Sequence, residues 1–498
     1  MSGSVGTAEA IDPRAFWGIG AMLGLGMLWA MGQLPGEWFA ALALGISFLF
    51  LILMSGRVER VLLGLLFFII PINPDFYVET ARYASDPFIS RGNTPLLGFS
   101  CMDIVLLALY ALWIGRALAS KDSKRVLWPA GGVAVLALIG WGAVSMLNAE
   151  DPVLSLFLLA WFAKAFLLFF YLANRLRTGE DYWLAARCLL AGLILESLIA
   201  LAQYAAGDNF GLGVLGERVL RKEVELGADK IFRVGGTLGH PNALGGYFAS
   251  VLPMILALQF TPMGRRWKAI ALAGLGMGSL ALVLTFSRSA WTAAALTGVG
   301  VLVWLFRYAR RRVQWLTILG TGFVLVLALS AFAPLIAARW LEDDKGSTQT
   351  RIPQTQIALE MVRQHPVLGV GLNNYSRVQH LYDTYVENPS RWNRVYVFQG
   401  RVHNIFMLLV AEMGLVSLAL LGWFLLAVAG RARRLLAALR DDFRTRMIVL
   451  GAGLGLVARI LHDAAHTGHL SMSTFIWVFA AMLVARPSIQ APAGRAAA

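Results

Sequence analysis

The chain has 498 residues, of which 58% are hydrophobic and only 14% are charged. A soluble protein of this length needs more polar surface than such a composition supplies, so the bilayer must be part of its solvent. The formal net charge of +14 does not indicate a nucleic-acid-binding protein, because most positive residues lie in short clusters between apolar runs.

Apolar runs recur along the whole chain and predict an all-α, polytopic transmembrane helical bundle of about 12–14 spans. The runs are continuous rather than alternating, which favours helices over membrane-spanning strands. They begin near Phe16, Trp38, Val61, Met102, Val126, Val153, Trp183, Ala243, Ala269, Ser289, Trp315, Asn404, Met447 and Leu470. Long connections separate some of them, at residues 74–100, 208–242 and 338–402.

Clusters of arginine and lysine fall in every second connection, whereas the short connections at residues 32–37 and 148–152 contain neither residue. Positively charged connections tend to stay on the cytoplasmic side of a membrane. The pattern therefore predicts a multi-pass protein with both termini cytoplasmic and with the three long connections outside. All 7 histidines then lie outside as well, which directs the search for chemistry to that side.

The longest outer connection is predicted to contain a helix at residues 353–364. Pro353 suits the first turn of this helix, and Pro366 follows its end. Its apolar residues form one stripe: Ile357, Met361 and Val362. Such a helix could rest on the membrane or cap a cavity.

The first candidate for chemistry is Arg233 with the segment Gly-Thr-Leu-Gly-His-Pro-Asn at residues 236–242. Pro241 suits the first turn of a helix, and Asn242 or the preceding polar residues could cap it. A helix amino terminus beside an arginine favours an anionic ligand. The alternative is an arginine that anchors lipid headgroups beside an ordinary helix start.

The second candidate is Arg288 in the segment Thr-Phe-Ser-Arg at residues 285–288, between two spans that leave almost no loop. An unpaired charge at this depth is costly, so an anion is expected to satisfy it. A carboxylate on a neighbouring helix could serve instead of a ligand.

The third candidate is the segment Arg401-Val-His403-Asn404 at the outer mouth of a span. A neutral imidazole in such a place can take a proton from a hydroxyl group. Asn404 could orient a sugar. The alternative is an ordinary interfacial histidine whose polar atoms are satisfied by its surroundings.

Other polar residues fit structural roles at least as well. His462 and His466 have a spacing that can bind zinc, but no glutamate completes a metalloprotease motif, and Gly468 is expected to end the helix. We therefore predict no metal site and favour a polar helix end. The ionisable residues within predicted spans could form structural pairs, a lipid-carrier groove or a proton path: Asp103, Lys164, Arg187, Glu196, Glu412 and Arg459.

Together the motifs resemble the superfamily of bacterial O-antigen ligases and O-antigen polymerases. The resemblance covers roughly residues 233–417 and depends on the order of four motifs, since each alone is weak. They are Arg233 with Gly-Thr-Leu-Gly-His-Pro-Asn, Thr-Phe-Ser-Arg288, His365-Pro-Val-Leu-Gly-Val-Gly371 with Asn373 or Asn374, and His403-Asn404 followed by nine residues and Gly414. Ser417 stands where the ligase pattern has glycine, threonine or tyrosine.

The resemblance implies an inverting glycosyltransferase. We expect a GT-C-like fold and no cofactor or metal, since two fixed arginines can neutralise a diphosphate without a metal ion. The donor would be a glycan on undecaprenyl diphosphate, and the acceptor another glycan or lipid A–core, at the periplasmic face of the bacterial inner membrane. Carried over to this chain, Arg233 and Arg288 would hold the diphosphate, and His403 would activate the acceptor hydroxyl. The further substrate-binding residues that we expect are Arg401, Asn404 and Asn242.

We expect a transmembrane bundle at residues 1–207, a ligase-like catalytic region at 208–430 that includes the loop 338–402, and helices with a cytoplasmic tail at 431–498. The competing class is a transporter or flippase of lipid-linked glycans. It would explain the spans and buried charges but predicts inverted repeats, which the sequence does not reveal. Ligase, polymerase and protein O-oligosaccharyltransferase differ in the acceptor, whose contacts lie on variable outer loops.

Overall fold

The computed structural model describes residues 57–72, 75–78, 97–119, 126–217, 223–226, 229–308, 322, 330, 333–341, 347–382 and 400–487. The chain divides into two units, Met1–Leu63 and Gly64–Ala498. Of the first unit, the described residues form the start of one helix. The predicted spans near Phe16, Trp38 and Trp315 lie outside the described residues.

The described part of the chain is almost entirely helical. Its helices are α1 (Val58–Phe68), α2 (Cys101–Ala119), α3 (Gly132–Ser145), α4 (Pro152–Arg175), α5 (Gly179–Ala206), α6 (Pro241–Leu258), α7 (Arg265–Leu284), α8 (Arg288–Tyr308), α9 (Ala333–Leu341), α10 (Ser347–Gln364), α11 (Tyr375–Val378), α12 (Ile405–Ala438), α13 (Phe443–Asp463) and α14 (Thr474–Val484). The strands form antiparallel pairs, β1 (Asp75–Val78) with β2 (Leu97–Ser100) and β3 (Glu223–Leu226) with β4 (Asp229–Phe232).

Within these described ranges, 8 helices are long and apolar enough to cross a membrane: α2, α4, α5, α6, α7, α8, α12 and α13. Helices α3 and α14 are apolar but shorter. Each of these ten helices begins close to an apolar run predicted from the sequence. Helix α1, with 11 residues, corresponds to the run near Val61. The prediction of an all-α, multi-pass membrane protein is confirmed.

Helix α6 lies at the centre of the second unit and is almost entirely buried. It packs against α5, α7, α8 and most extensively against α13. Small residues allow the last contact: a Cβ atom built on Gly455 would lie 2.4 Å from the carbonyl oxygen of Ser250, and one on Gly451 would lie 2.4 Å from Cα of Met254. Helices from all three predicted regions thus pack together, and the proposed division into 1–207, 208–430 and 431–498 stays a prediction.

The ionisable residues predicted within spans have structural partners. Such charges are costly in a membrane interior unless they are paired or hydrogen-bonded. The contacts are Lys164 Nζ to Asp103 Oδ2 at 2.6 Å, Arg459 Nε to Asp463 Oδ2 at 2.9 Å, His469 Nδ1 to Glu412 Oε2 at 3.6 Å, Thr237 to Glu196, and Arg187 over the rings of Trp183 and Trp267. Of the alternatives left open by the sequence, structural pairing is the one that these contacts support.

Helix α12 is broken at Gly414, whose φ of 71° and ψ of 176° are not helical. The loop at residues 366–371 docks into the break and satisfies the backbone groups that the break exposes. The bonds of the loop are Val370 N to Ala411 O (2.9 Å), Gly371 N to Glu412 O (3.0 Å) and Leu415 N to Pro366 O (2.8 Å). From α3, Nε1 of Trp141 donates to Met413 O at 2.8 Å. The break therefore leaves these polar groups paired within the bundle.

Glycine is required at the break for two reasons. Side chains other than hydrogen are strongly disfavoured at this combination of φ and ψ. A Cβ atom on Gly414 would also lie 1.9 Å from the carbonyl oxygen of Val367, and one on Gly369 would lie 2.3 Å from the carbonyl carbon of Glu412. The two motifs that contain these glycines therefore meet in one close backbone-to-backbone contact.

Helix α10 begins at Ser347, so the prediction that Pro353 lies in its first turn was wrong. The residues before Pro353 add more than one turn, and proline there removes a single backbone N–H from the helix ladder. The helix ends at Gln364, before Pro366, as predicted. Its apolar stripe is covered by α12, since Ile357, Ala358 and Met361 are fully buried in one cluster with Leu408 and Ala411.

We expect Gly414→Ala to lower the free energy of unfolding by about 3 kcal/mol, because the added methyl group meets backbone and the required φ is strained. Thermal unfolding of the purified protein in detergent measures this. The matched control is Gly422→Ala on the same helix, where a Cβ atom would have no neighbour within 4 Å. A wild-type melting temperature for Gly414→Ala would show that the break is not required.

Candidate active site

Arg233 joins the first two sequence motifs. It follows β4, and its Nε donates a hydrogen bond to the carbonyl oxygen of Thr285 at 2.9 Å. Its Nη2 donates to Oδ1 of Asn242, also at 2.9 Å. One guanidinium group therefore links the start of α6 to the turn between α7 and α8, which makes these separate segments a single structural feature.

The start of α6 follows the predicted pattern, with Pro241 as its first residue. The cap is His240, one of the polar residues that precede the proline, and its Nδ1 accepts a hydrogen bond from the backbone N of Asn242 at 3.1 Å. The side chain of Asn242 is therefore available to hold Arg233, which is a positioning role that the sequence did not indicate.

Buried polar residues of α5 support the loop before α6. The backbone N of Gly236 donates to Oε1 of Gln203 at 2.9 Å, and the backbone N of Thr237 donates to Oε2 of Glu196 at 3.2 Å. Gln203 in turn donates to the carboxylate of Glu217. From the sequence, Glu196 was predicted only as an ionisable residue within a span. Its contact with the loop before α6 results from the packing of α5 against that loop.

The turn at residues 285–288 has an unusual backbone. Phe286 is buried and has a φ of 51°, a value that is rare for a bulky residue. Such a strained backbone conformation persists only when the surrounding structure holds it. The strained turn directs the carbonyl oxygen of Thr285 toward Arg233 and makes Arg288 the first residue of α8. This geometry agrees with the very short connection predicted from the sequence.

His403 is oriented by a residue that the sequence analysis missed. Its Nδ1 lies 2.8 Å from Oε1 of Gln354 on α10. Because an amide oxygen only accepts hydrogen bonds, this contact places the imidazole proton on Nδ1 and leaves the lone pair on Nε2. A signal for Gln354 was present, since it occupies the same helical face as Ile357 and Met361 and is a polar residue on an apolar stripe.

His403 is neutral at physiological pH. Burial lowers the pKa of its imidazole from the ordinary value of 6.5 to about 4, and the positive charge of Arg351 acts in the same direction. A neutral imidazole with a free Nε2 can accept a proton from a hydroxyl group.

A cluster of histidines connects His403 to the arginine motifs. The rings of His240 and His466 lie 6.3 Å apart, and those of His466 and His462 lie 5.1 Å apart. Nδ1 of His462 lies 3.1 Å from Oγ of Ser289, the neighbour of Arg288. Burial holds the pKa of His466 well below its ordinary value, and His462, Arg459, His240 and His403 are close enough to lower it further. The segments that contain Arg233, Arg288 and His403 therefore lie at one end of the bundle.

Arg401 lies beside a second buried group. Its Nη1 is buried and has no hydrogen-bond partner within the described part of the chain. Burial lowers the pKa of Arg401 to about 10, while the carboxylate of Glu412 opposes that change. Glu412 also faces His469. Burial holds the pKa of His469 well below its usual value, and the positive charge of Arg401 acts in the same direction. Arg401 could thus balance Glu412 as well as contact a substrate.

Asn404 caps helix α12. Its Oδ1 accepts hydrogen bonds from the backbone N of Phe406 and of Met407, each at 3.0 Å. This explains in physical terms why asparagine follows the histidine. The expected contact of Asn404 with a sugar stays a prediction.

The pair His462 and His466 does not form a metal-binding helix turn. Helix α13 ends at Asp463, five residues before Gly468, so the expected helix end was wrong and His466 lies beyond the helix. His462 faces Ser289 instead. Across the described residues, no group of three or more His, Cys, Asp or Glu is placed to hold a metal ion.

We expect Arg233→Lys to lower the free energy of unfolding by about 1–3 kcal/mol although it keeps the charge, because an ammonium group does not reproduce the two bonds made by different nitrogens of the guanidinium. Thermal unfolding in detergent is the measurement, and Arg266→Lys at an exposed site on α7 is the control. Equal melting temperatures for the two variants would remove the bridging role.

The family model described as O-Antigen ligase matches residues 272–422. This range contains Arg288, Arg401, His403 and Asn404, whereas Arg233 and Asn242 precede it. No curated protein matches the chain. The family match together with the apolar helices supports a membrane enzyme that transfers glycans, with a lipid-linked glycan and an acceptor as its partners. The resemblance predicted from the motifs is thereby confirmed: over residues 272–422 the chain is similar to the O-antigen ligase superfamily.

Proposed function

We propose that the protein transfers an oligosaccharide or polysaccharide from undecaprenyl diphosphate to a sugar hydroxyl of an acceptor, at the periplasmic face of the inner membrane. The observation that carries the proposal is the pairing of His403 Nδ1 with Gln354, because it leaves Nε2 of a neutral imidazole as a base. The histidine cluster that joins this base to the segments of Arg233 and Arg288 supports the same function.

The distribution of charge supports the periplasmic location. Helix α13 runs from an arginine-rich start, with Arg444 and Arg446, to His462 at its other end. Its 21 residues span about 30 Å, the thickness of the hydrocarbon core. Because arginine-rich connections favour the cytoplasm, we propose that the histidine end faces the periplasm. The cytoplasmic location of both termini stays a prediction from the charge pattern of the sequence.

The proposed reaction is the inverting transfer that the resemblance to O-antigen ligases implies. The acceptor oxygen attacks the anomeric carbon from the face opposite the diphosphate, and the bond between that carbon and the phosphate oxygen breaks. The configuration at the anomeric carbon is inverted, and the acceptor proton moves to Nε2 of His403. Undecaprenyl diphosphate leaves with the electron pair of the broken bond.

Arg233 and Arg288 would stabilise the leaving group. The diphosphate gains negative charge as the bond breaks, and fixed guanidinium groups are suited to neutralising it. Two such groups can do this without a metal ion, so we propose a metal-independent transfer. Arg401, Asn404 and Asn242 would contribute to substrate binding at the same end.

The acceptor decides the class within this function. Lipid A–core would make the protein an O-antigen ligase, a second lipid-linked repeat would make it a polymerase, and a protein hydroxyl would make it an O-oligosaccharyltransferase. All three require the same base and the same leaving group. A flippase of lipid-linked glycans would require neither.

We expect His403→Ala to reduce glycan transfer by about 10²- to 10⁴-fold, because the acceptor hydroxyl loses its base. The assay is complementation of a deletion strain with the variant, followed by a gel of surface glycans. Loss of attachment to lipid A marks a ligase, and single-unit products mark a polymerase. His380→Ala, at an exposed histidine, is the control and should restore the wild-type pattern. Normal transfer by His403→Ala would exclude the mechanism and favour a flippase.

The pH dependence gives a second test. His403 must be neutral to act, so kcat/KM should stay level down to about pH 5 and fall as the free protein is titrated through the pKa of about 4. The negative diphosphate raises this pKa in the complex, so kcat should fall at a higher pH than kcat/KM. Both are measured with purified protein, donor and acceptor in detergent.

Arg351→Gln removes one of the two causes that lower the pKa of His403. In this variant the fall in kcat/KM should move to higher pH. A fall centred near 6.5 in the wild-type protein would contradict the lowered pKa of His403, because 6.5 is the ordinary value for a histidine.

A further inference from the structure

A cavity of about 320 Å³ lies at the arginine-rich end of the bundle, away from His403. Its walls come from the start of α3, the end of α12 and the chain just after α14. Three arginines and two tryptophans line it: Arg431, Arg434, Arg486, Trp128 and Trp423. Neither the sequence motifs nor the family match assigns a role to it.

The three arginines make the cavity a site for an anion. No carboxylate lines it among the residues that the structure describes. Arg434 and Arg486 are close enough to repel Arg431, and Arg431 is fixed in place because its Nη2 donates to the carbonyl oxygen of Ala485 at 3.3 Å. Three convergent like charges are unfavourable unless an anion is bound among them.

Two other arginines at this end of the bundle pair with acids. Arg444 forms an ion pair with Glu180, and Arg175 lies 3.5 Å from Asp181. The cavity therefore differs from the ordinary enrichment of positive charge on one side of a membrane protein. The amino end of α3, which no described side chain caps, adds its positive dipole to the same cavity.

The apolar part of the wall indicates a lipid rather than a soluble anion. Trp128 and Trp423 are 48% and 49% exposed, as expected for indole rings at the level of lipid headgroups. Exposed apolar side chains continue from the cavity along both helices, at Leu136 on α3 and Leu418 on α12. A headgroup in the cavity would thus have its acyl chains against apolar helix surface.

We propose that this cavity binds the phosphodiester headgroup of an anionic phospholipid. The volume is at the lower end of the range for small-molecule sites, which suits a headgroup with its chains outside. The phosphate oxygens accept hydrogen bonds from Arg434 and Arg486, and the lipid neutralises Arg431. The bound lipid joins the ends of α3, α12 and α14 and stabilises the bundle. This site is independent of the proposed glycan transfer.

The test uses the full chain purified in a neutral detergent, with thermal unfolding followed as lipid is added. Phosphatidylglycerol is the anionic lipid, phosphatidylcholine the zwitterionic comparison and inorganic phosphate the soluble anion. Phosphatidylglycerol should raise the melting temperature with increasing concentration, because it binds the folded state. Phosphatidylcholine and inorganic phosphate should raise it far less.

The variant is Arg434→Ala with Arg486→Ala, both at exposed residues whose loss leaves the bonds of Arg431 intact. It should bind phosphatidylglycerol at least about tenfold more weakly than the wild-type protein. Arg433→Ala is the matched control, since Arg433 is exposed on the same helix but does not line the cavity. Native mass spectrometry counts bound lipid directly and does not depend on the stability of the variant.

Retention of wild-type lipid binding by the double variant would overturn the proposal. So would equal stabilisation by phosphatidylcholine, which would show that the negative charge is not recognised. Stabilisation by inorganic phosphate equal to that by phosphatidylglycerol would overturn the assignment to a lipid.

Discussion

The break in α12 at Gly414 is the constraint on which the rest of the site depends. A broken helix within a bilayer exposes backbone groups that water cannot satisfy, so other backbone must reach them. The loop after α10 does so, with bonds to Ala411, Glu412 and Leu415. This contact requires glycine at closely approaching positions on both partners, and it anchors the outer segment to a membrane helix.

The anchored loop determines where His403 points. Helix α10 enters the loop, and its apolar face packs on the first turns of α12, just after His403. Gln354 thereby comes within hydrogen-bond distance of the imidazole and selects its tautomer. The geometry of the candidate base is thus a consequence of helix packing and of one backbone docking contact.

The two ends of the bundle carry different electrostatics. At one end, buried neutral histidines lie among arginines that are themselves held by hydrogen bonds, as Arg233 is by Thr285 and Asn242. At the other end, Arg444 and Arg175 pair with acids, whereas three arginines surround the cavity beside Trp423. The first end suits a charged leaving group, and the second suits the headgroups of the surrounding membrane.

The sequence by itself determined the helices, because apolar runs of membrane length have one stable form in a bilayer. It also identified Arg233, Arg288 and His403 as candidates, because charged and polar residues at the ends of apolar spans are costly unless a partner or a ligand satisfies them. It did not indicate that Asn242 holds Arg233, that Gln354 orients His403, or that α13 ends before Gly468. Those features depend on contacts between residues far apart in the chain, such as positions 233 and 285 or 354 and 403, and only the packed tertiary structure decides which of these side chains meet.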